Sequence, residues 1–220
     1  MPTVLFIHGL ESGPQGRKAR ELAKAGFNVV AVQMPCGRAA TLRDPVVMAL
    51  VLIAVTLIII GAFTSGIIGA VLALCVVLTL LPLARVWVVR RVFRRSIAVQ
   101  RRALAAGNID VVVGSSFGGA VALALLTDGT WTGPTVLMCP AHALVAGRAW
   151  LPLPGPLVNA ERVVVVHGLA DVTVPVNHSR ALVAGSDAKL VLVQDDHRLA
   201  ATATAANLAE WLSLAGVGSS

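Results

Sequence analysis

The chain has 220 residues, 56% of them hydrophobic and 13% charged, with a mean hydropathy of +0.81 and a formal net charge of +7. That apolar share exceeds what one soluble domain usually carries. The positive charge does not indicate nucleic acid, because the arginines cluster beside an apolar run and no aromatic residues are interleaved with them for base stacking. Cys36, Cys75 and Cys139 are scattered and odd in number, without CxxC or His/Cys metal spacing, so neither a disulfide framework, a metal site nor a cofactor is implied.

In chain order, Val4–Ile7 reads as a first buried strand running into the glycine-rich segment His8-Gly9-Leu10-Glu11-Ser12-Gly13-Pro14-Gln15-Gly16. With a strand beginning almost at Met1, no signal peptide is expected. The glycine run lacks a Gly-Lys-Ser/Thr ending and is not a phosphate-binding loop of the P-loop kind. A helix is expected near Arg17–Ala25 and a strand at Val29–Gln33. After the insert described below come a helix at Ile97–Ala106, a strand at Val111–Val113 and a helix at Gly119–Leu126. Strands at Thr135–Met138, Val163–His167 and Leu190–Val193 follow, with helices at Asn177–Val183 and Leu199–Leu214. This alternation predicts an α/β fold: a mostly parallel, doubly wound sheet of about six strands with helices on both faces. The proline-rich Leu151–Leu157 is either a simple connection or an apolar rim, and 216–220 reads as a frayed tail.

The insert, an apolar segment over 44–95, interrupts an α/β domain expected to comprise residues 1–43 and 96–220. Pro45 to Leu83 contains no charged residue. It divides at Gly61-Ala62-Phe63-Thr64-Ser65-Gly66 into arms Val46–Ile60 and Ile67–Leu83. Each arm approaches the length that crosses a hydrocarbon core, so a transmembrane helical hairpin is expected, with the bilayer as partner of residues 46–83. Apolarity on every face argues against a soluble lid, which would be amphipathic; a re-entrant wedge is the other membrane arrangement. Arg43 precedes the first arm, and Arg85, Arg90, Arg91, Arg94 and Arg95 follow the second. Both ends are therefore expected on the cytoplasmic side, with Trp87 at the interface and the arginines against anionic lipid. Small residues at Gly61, Ser65 and Gly69, and at Ala62, Gly66 and Ala70, would allow a homo-oligomer to pack through the hairpin.

The most informative motif is Val111-Val112-Val113-Gly114-Ser115-Ser116-Phe117-Gly118-Gly119 leading into Ala120–Leu126. A buried strand, a sharp Gly-x-Ser-x-Gly turn and an apolar helix would lift Ser116 above the carboxyl edge of the sheet. The Phe117 N–H would then point to where an oxyanion forms. A serine hydroxyl needs a base. Asp171 lies on the loop after Val163–His167. His197 lies on the loop after Leu190–Val193, where Nε2 can face Ser116 and Nδ1–H can face Asp171. Asp195 and Asp196 read as turn formers or as groups that support the site from behind, His178 as a surface or capping residue, His142 as a pocket-lining residue and His167 as structural.

Four segments carry a resemblance: Phe6-Ile7-His8-Gly9-Leu10-Glu11-Ser12 with Pro14–Arg20; Gly114–Gly119; His167-Gly168-Leu169-Ala170-Asp171 with Val174-Pro175; and Asp195-Asp196-His197-Arg198-Leu199. On these the chain resembles the small bacterial serine α/β-hydrolases of the minimal, lidless type, over nearly its whole length outside the insert. The resemblance implies the α/β-hydrolase fold and a Ser116–His197–Asp171 triad in that family's chain order. It also implies an oxyanion hole completed by the Leu10 N–H, and cleavage of esters, thioesters or related acyl bonds. With the insert, the expectation is a hydrolase of apolar acyl substrates in the bacterial cytoplasmic membrane, its catalytic domain on the cytoplasmic side. The alternative is a catalytically silent membrane scaffold on the same fold.

Overall fold

The computed structural model describes residues 1–10, 12–154, 157 and 160–218. Six parallel strands form one sheet: β1 (Thr3–Ile7), β2 (Asn28–Val30), β3 (Val111–Ser115), β4 (Thr135–Met138), β5 (Val163–Gly168) and β6 (Lys189–Val193), in the order β2-β1-β3-β4-β5-β6. The central strands β3, β4 and β5 are buried along their whole length, as near-continuous valine runs with both faces covered should be. β1 pairs with β2 from Thr3↔Asn28 and with β3 from Val4↔Val111, placing Ile7 opposite Gly114 at the carboxyl edge.

Helices α1 (Arg17–Lys24) and α7 (Ala205–Leu214) cover one face. The other is covered by part of α3 (Pro45–Ala106), with α4 (Phe117–Thr127), α5 (His142–Ala149) and α6 (Val176–Val183); the short α2 (Arg38–Leu42) precedes α3. Strand side chains alternate between the two cores: Val111 and Val113 pack with Leu22 and Trp211, and Val112 with Val121 and Leu125. α4 is apolar all round because it is enclosed between the sheet and its neighbouring helices.

α3 carries the insert. Within its 62 residues only Ser65 (φ −137°, ψ 19°) and Gly66 (φ 60°, ψ −143°) leave helical conformation, and there the chain doubles back. Gly61 and Gly69 then face each other so closely that a Cβ on either would strike the other's backbone. Of the two small-residue rows read from the sequence, Gly61–Ser65–Gly69 is thus engaged within one chain. At the root, Asp44 caps the first arm by accepting the Val46 N–H (3.0 Å) and pairs with Arg91 (3.3 Å) and Arg95 on the second. α3 is long and apolar enough to cross a membrane; its most apolar 18-residue stretch has a mean hydropathy of 3.1, and none of it is buried.

Five elements differ from the sequence reading by more than a residue or two at an end. The second arm and the crossover helix expected at Ile97–Ala106 are one continuous helix, so the arginine segment is helical and the 95/96 boundary falls inside it. β2 ends at Val30 rather than Gln33, because the chain peels off the edge strand and the Met34 N–H donates to His8 Nε2 (3.3 Å). The last helix begins at Ala205 rather than Leu199: Asp195 Oδ2 takes the Ala201 and Thr202 N–H groups (2.9 and 2.8 Å), and Thr204 caps the helix. Helices α2 and α5 were not anticipated. Of the proline-rich segment, 155–156 and 158–159 lie outside the described residues, as do 219–220 of the tail.

β1 and α4 cross very closely: a Cβ on Gly118 would run into the Ile7 and His8 carbonyl oxygens. Gly118→Ala is expected to cost about 2–4 kcal/mol through overpacking. Gly147→Ala in α5, where a Cβ meets nothing within 4 Å, should be neutral or stabilising by up to about 1 kcal/mol. Chemical denaturation of the two variants in detergent checks the contrast.

Candidate active site

Ser116 occupies the turn between β3 and α4 with φ 56° and ψ −116°. A non-glycine residue there carries about 1–3 kcal/mol of strain, and such strain persists only where the surroundings enforce it. Here they do. The Ser116 N–H donates to Met138 O (2.9 Å), and its carbonyl accepts from Ala141 N (3.0 Å) and Ala120 N (3.2 Å). Glycines supply the space: a Cβ on Gly114 would lie 2.7 Å from Gly118 O and 2.8 Å from the Ala122 Cβ. The Phe117 N–H stands at the first position of α4, ahead of the helical ladder and at the positive end of the helix dipole.

His197 bridges to this serine. Its Nε2 lies 2.8 Å from Ser116 Oγ, and its Nδ1 lies 2.7 Å from Asp171 Oδ2. A carboxylate oxygen can only accept, so Nδ1 carries the proton and Nε2 is the acceptor facing the serine hydroxyl. Asp171 is buried, and its other oxygen accepts the Thr173 and Val174 N–H groups at 2.8 Å each. Burial alone would raise the Asp171 carboxyl, but the hydrogen bonds from Val174, His197 and Thr173 outweigh it and hold the group below its ordinary value.

Leu10 follows Gly9 on the loop after β1. A Cβ on Gly9 would stand 3.3 Å from the Ser116 Cβ, so this loop passes directly beside the serine. The Gly9 N–H donates to Ser12 Oγ (3.2 Å), and His8, buried, fixes the loop: it accepts the Met34 N–H at Nε2 and so donates from Nδ1 to Gly9 O (2.8 Å). Glu11 lies outside the described residues.

The other residues singled out in the sequence sort as follows. Asp195 and Asp196 are turn formers: Asp195 accepts from Asp196, Ala201 and Thr202, and Asp196 from the Arg198 N–H. His142 begins α5, and its Nδ1 donates to Pro140 O (3.1 Å); burial pushes its pKa down. His178 lies within α6 rather than at its cap and stacks edge-on against His142, with ring centroids 6.3 Å apart.

Two features had no signal in the sequence. Lys18 reaches from α1 to donate to Ser115 Oγ (2.8 Å), and burial lowers its pKa. Cys139, His167 and Asp171 are all buried, with donor atoms within 4.8 Å of one another. Their composition suits a metal ion, but their hydrogen bonding does not. His167 Nε2 stands 2.9 Å from Val174 O and must carry a proton toward it. Burial, with the Asp171 charge, pushes the Cys139 thiol up to about 12, so it is held protonated.

Sheet order, strand-to-helix turn and loop placement together define the α/β-hydrolase fold. No family model and no curated protein matches this sequence. Solved structures do. A presumed hydrolase of the alpha/beta superfamily from Xanthomonas campestris pv. campestris matches with a TM-score of 0.55 at 22% identity, covering 99% of this chain and 100% of that one. A presumed hydrolase from Agrobacterium vitis S4 matches with a TM-score of 0.59 at 19% identity, covering 97% and 87%. Est1E from Butyrivibrio proteoclasticus, with ferulic acid bound, matches with a TM-score of 0.51 at 13% identity, covering 97% and 90%. The likeness is one of fold, and these neighbours are α/β-hydrolase superfamily members.

The lowered carboxyl of Asp171 has a consequence for stability. Its contribution is complete above the unfolded carboxyl value of about 4 and is lost as pH falls through the lower folded value. The difference in thermal midpoint between wild type and Asp171→Asn should therefore be largest near neutrality and shrink below about pH 4. Thermal melts across that range check it.

Proposed function

We propose that this chain is a membrane-anchored serine hydrolase that cleaves carboxylic ester or thioester bonds of apolar acyl substrates through an acyl-enzyme. The observation that carries the reading is the unbroken hydrogen-bonded line from Asp171 through His197 to Ser116. In the proposed reaction His197 Nε2 takes the Ser116 proton as Oγ attacks the acyl carbon. The N–H groups of Phe117 and Leu10 receive the oxyanion, Asp171 stabilises the imidazolium, and His197 returns the proton to the departing alkoxide or thiolate. Water repeats the sequence, releasing the acid and restoring Ser116. No metal or cofactor is needed for these steps. The exposed apolar side chains Leu10, Leu169 and Val172 lie on the loops that carry the site, which suits an apolar acyl group.

The course of α3 supports placing this site near a bilayer. Phe93 on the second arm meets Phe117, the residue after the nucleophile, edge-on with centroids 6.0 Å apart. From Phe93 back to Leu83, the last residue of the second apolar arm, is ten residues, or about 15 Å along a helix. Ser116 would then lie just beyond the headgroup layer, within reach of a substrate still partly dissolved in lipid. The arginine belt at 85–95 argues for a cytoplasmic catalytic domain under an inner membrane. Arg91 stacks on Trp87 (5.4 Å to the ring centroid), and Arg90 donates to the Ala149 and Trp150 carbonyls (2.5 and 2.8 Å), tying α5 to the hairpin root. A silent scaffold would need no triad in hydrogen-bonding register, so the enzyme is preferred. Self-association would use the Ala62–Gly66–Ala70 face, since Gly61 and Gly69 are engaged with each other.

Detergent-purified protein assayed on chromogenic acyl esters of increasing chain length should turn them over with a long-chain optimum, and Ser116→Ala should lose about 10³-fold or more. Turnover unchanged in Ser116→Ala would contradict the assignment. For the anchor, Phe63→Cys at the exposed hairpin tip, in a Cys75→Ala background, should react with an impermeant maleimide added outside intact spheroplasts. Reaction only after lysis would indicate a hairpin that does not cross.

A further inference from the structure

Asp171 Oδ2 faces two imidazoles. His197 Nδ1 donates to it at 2.7 Å, and His167 Nε2 lies 3.2 Å from the same oxygen. His167 is completely buried and is held at both ends. Nε2–H donates to Val174 O (2.9 Å), and Nδ1 therefore accepts from Ser179 Oγ (2.7 Å) on α6. The Val174 whose carbonyl it binds is also the residue whose N–H holds Asp171 Oδ1. One buried ring thus fixes the turn 171–174 and presents the positive edge of its N–H to the oxygen that His197 uses.

We propose that His167 is a positioning residue for the triad, a second imidazole on Asp171 that sets the pH at which His197 becomes a base. The inference rests on the serine-hydrolase reading of the same site. Charge on Oδ2 stabilises the His197 imidazolium, and the His167 N–H draws on that charge. Without it, Asp171 acts more strongly on His197, which keeps its proton to higher pH. Other titratable groups surround the pair: Lys18 from α1, Cys139 and His142 beyond β4, His178 from α6, and Asp195 and Asp196 on the His197 loop itself. The Cys139 thiol also bonds to Asp171; His167 is the one whose ring N–H faces the oxygen that His197 uses, and it does not itself touch Ser116.

The test is the pH dependence of Ser116 labelling by a fluorophosphonate, which requires no knowledge of the substrate. His167→Phe keeps a ring and removes the N–H. Its labelling midpoint should move up by about half a unit to one unit, giving labelling about three- to tenfold slower below the midpoint and an unchanged plateau above it. His167→Gln, whose amide can return an N–H to this place, should restore the wild-type midpoint. If His167→Phe labels at no pH through failure to fold, Ser179→Ala decides: releasing the ring should move the midpoint in the same direction by less. An unmoved midpoint in the variant that labels, or a lowered plateau that His167→Gln does not rescue, overturns the proposal and leaves the triad standing. Wild-type protein that never labels at Ser116 overturns the catalytic reading, and this one with it.

Discussion

A helix that runs without a break must carry one direction along its whole length. The second arm of α3 has no break from the reversal at Ser65–Gly66 to Ala106, even at Pro82. Its lower part is the crossover between β2 and β3, and it packs Val92, Phe93 and Ile97 against the core beside α4. A crossover in a parallel sheet descends from the carboxyl edge of one strand to the amino edge of the next. Its upward extension must therefore leave at the carboxyl edge, where Ser116, Asp171 and His197 stand. The apolar hairpin and the Ser116–His197–Asp171 constellation are on the same side because one rigid rod serves both. The Asp44 pairs with Arg91 and Arg95, and the Arg90 bonds to the end of α5, fasten that rod to the domain at its root.

Around this frame the site is built from groups that are each costly alone. Ser116 is strained, Asp171 is a buried carboxylate and His167 a fully buried imidazole. None is left without partners: backbone N–H groups on Asp171 Oδ1, His197 on Oδ2, and Val174 and Ser179 on either side of His167. A satisfied polar network of this kind holds its members to one arrangement. That is what a serine poised against a base requires before any substrate arrives. Glycines at 114 and 118 supply the remaining condition, because β1, β3 and α4 approach too closely there for any side chain.

Much of this was legible in the sequence. Short apolar runs bounded by turn residues marked the strands, most plainly β3, β4 and β5, which are buried along their whole length. The Gly-x-Ser-x-Gly turn and the loop positions of Asp171 and His197 named the three side chains that the structure hydrogen-bonds together. The continuity of α3 was not legible, because Arg85–Arg95 looks like a boundary when hydropathy is read, while arginine is a good helix former and gives the backbone no reason to stop. The start of α7 was missed because an apolar periodicity from Leu199 continues through a segment whose N–H groups Asp195 had already taken. His167 was passed over as structural. Its link to Asp171 depends on a turn closing over four residues, and nothing in the spacing of a strand-end histidine announces that.

The placement of the serine at the bilayer surface is the claim on which the account turns. A fluorophosphonate bearing a compact fluorophore, attached to Ser116 in reconstituted vesicles, should be quenched strongly by lipids carrying a quencher in the headgroup. Quenchers deep in the acyl chains should act more weakly. That gradient would fit a site about 15 Å from the hydrocarbon boundary, the helical rise from Leu83 to Phe93, which meets Phe117. A labelled serine indifferent to both quenchers would mean that the α/β domain stands away from the membrane, and the single-rod account would be wrong.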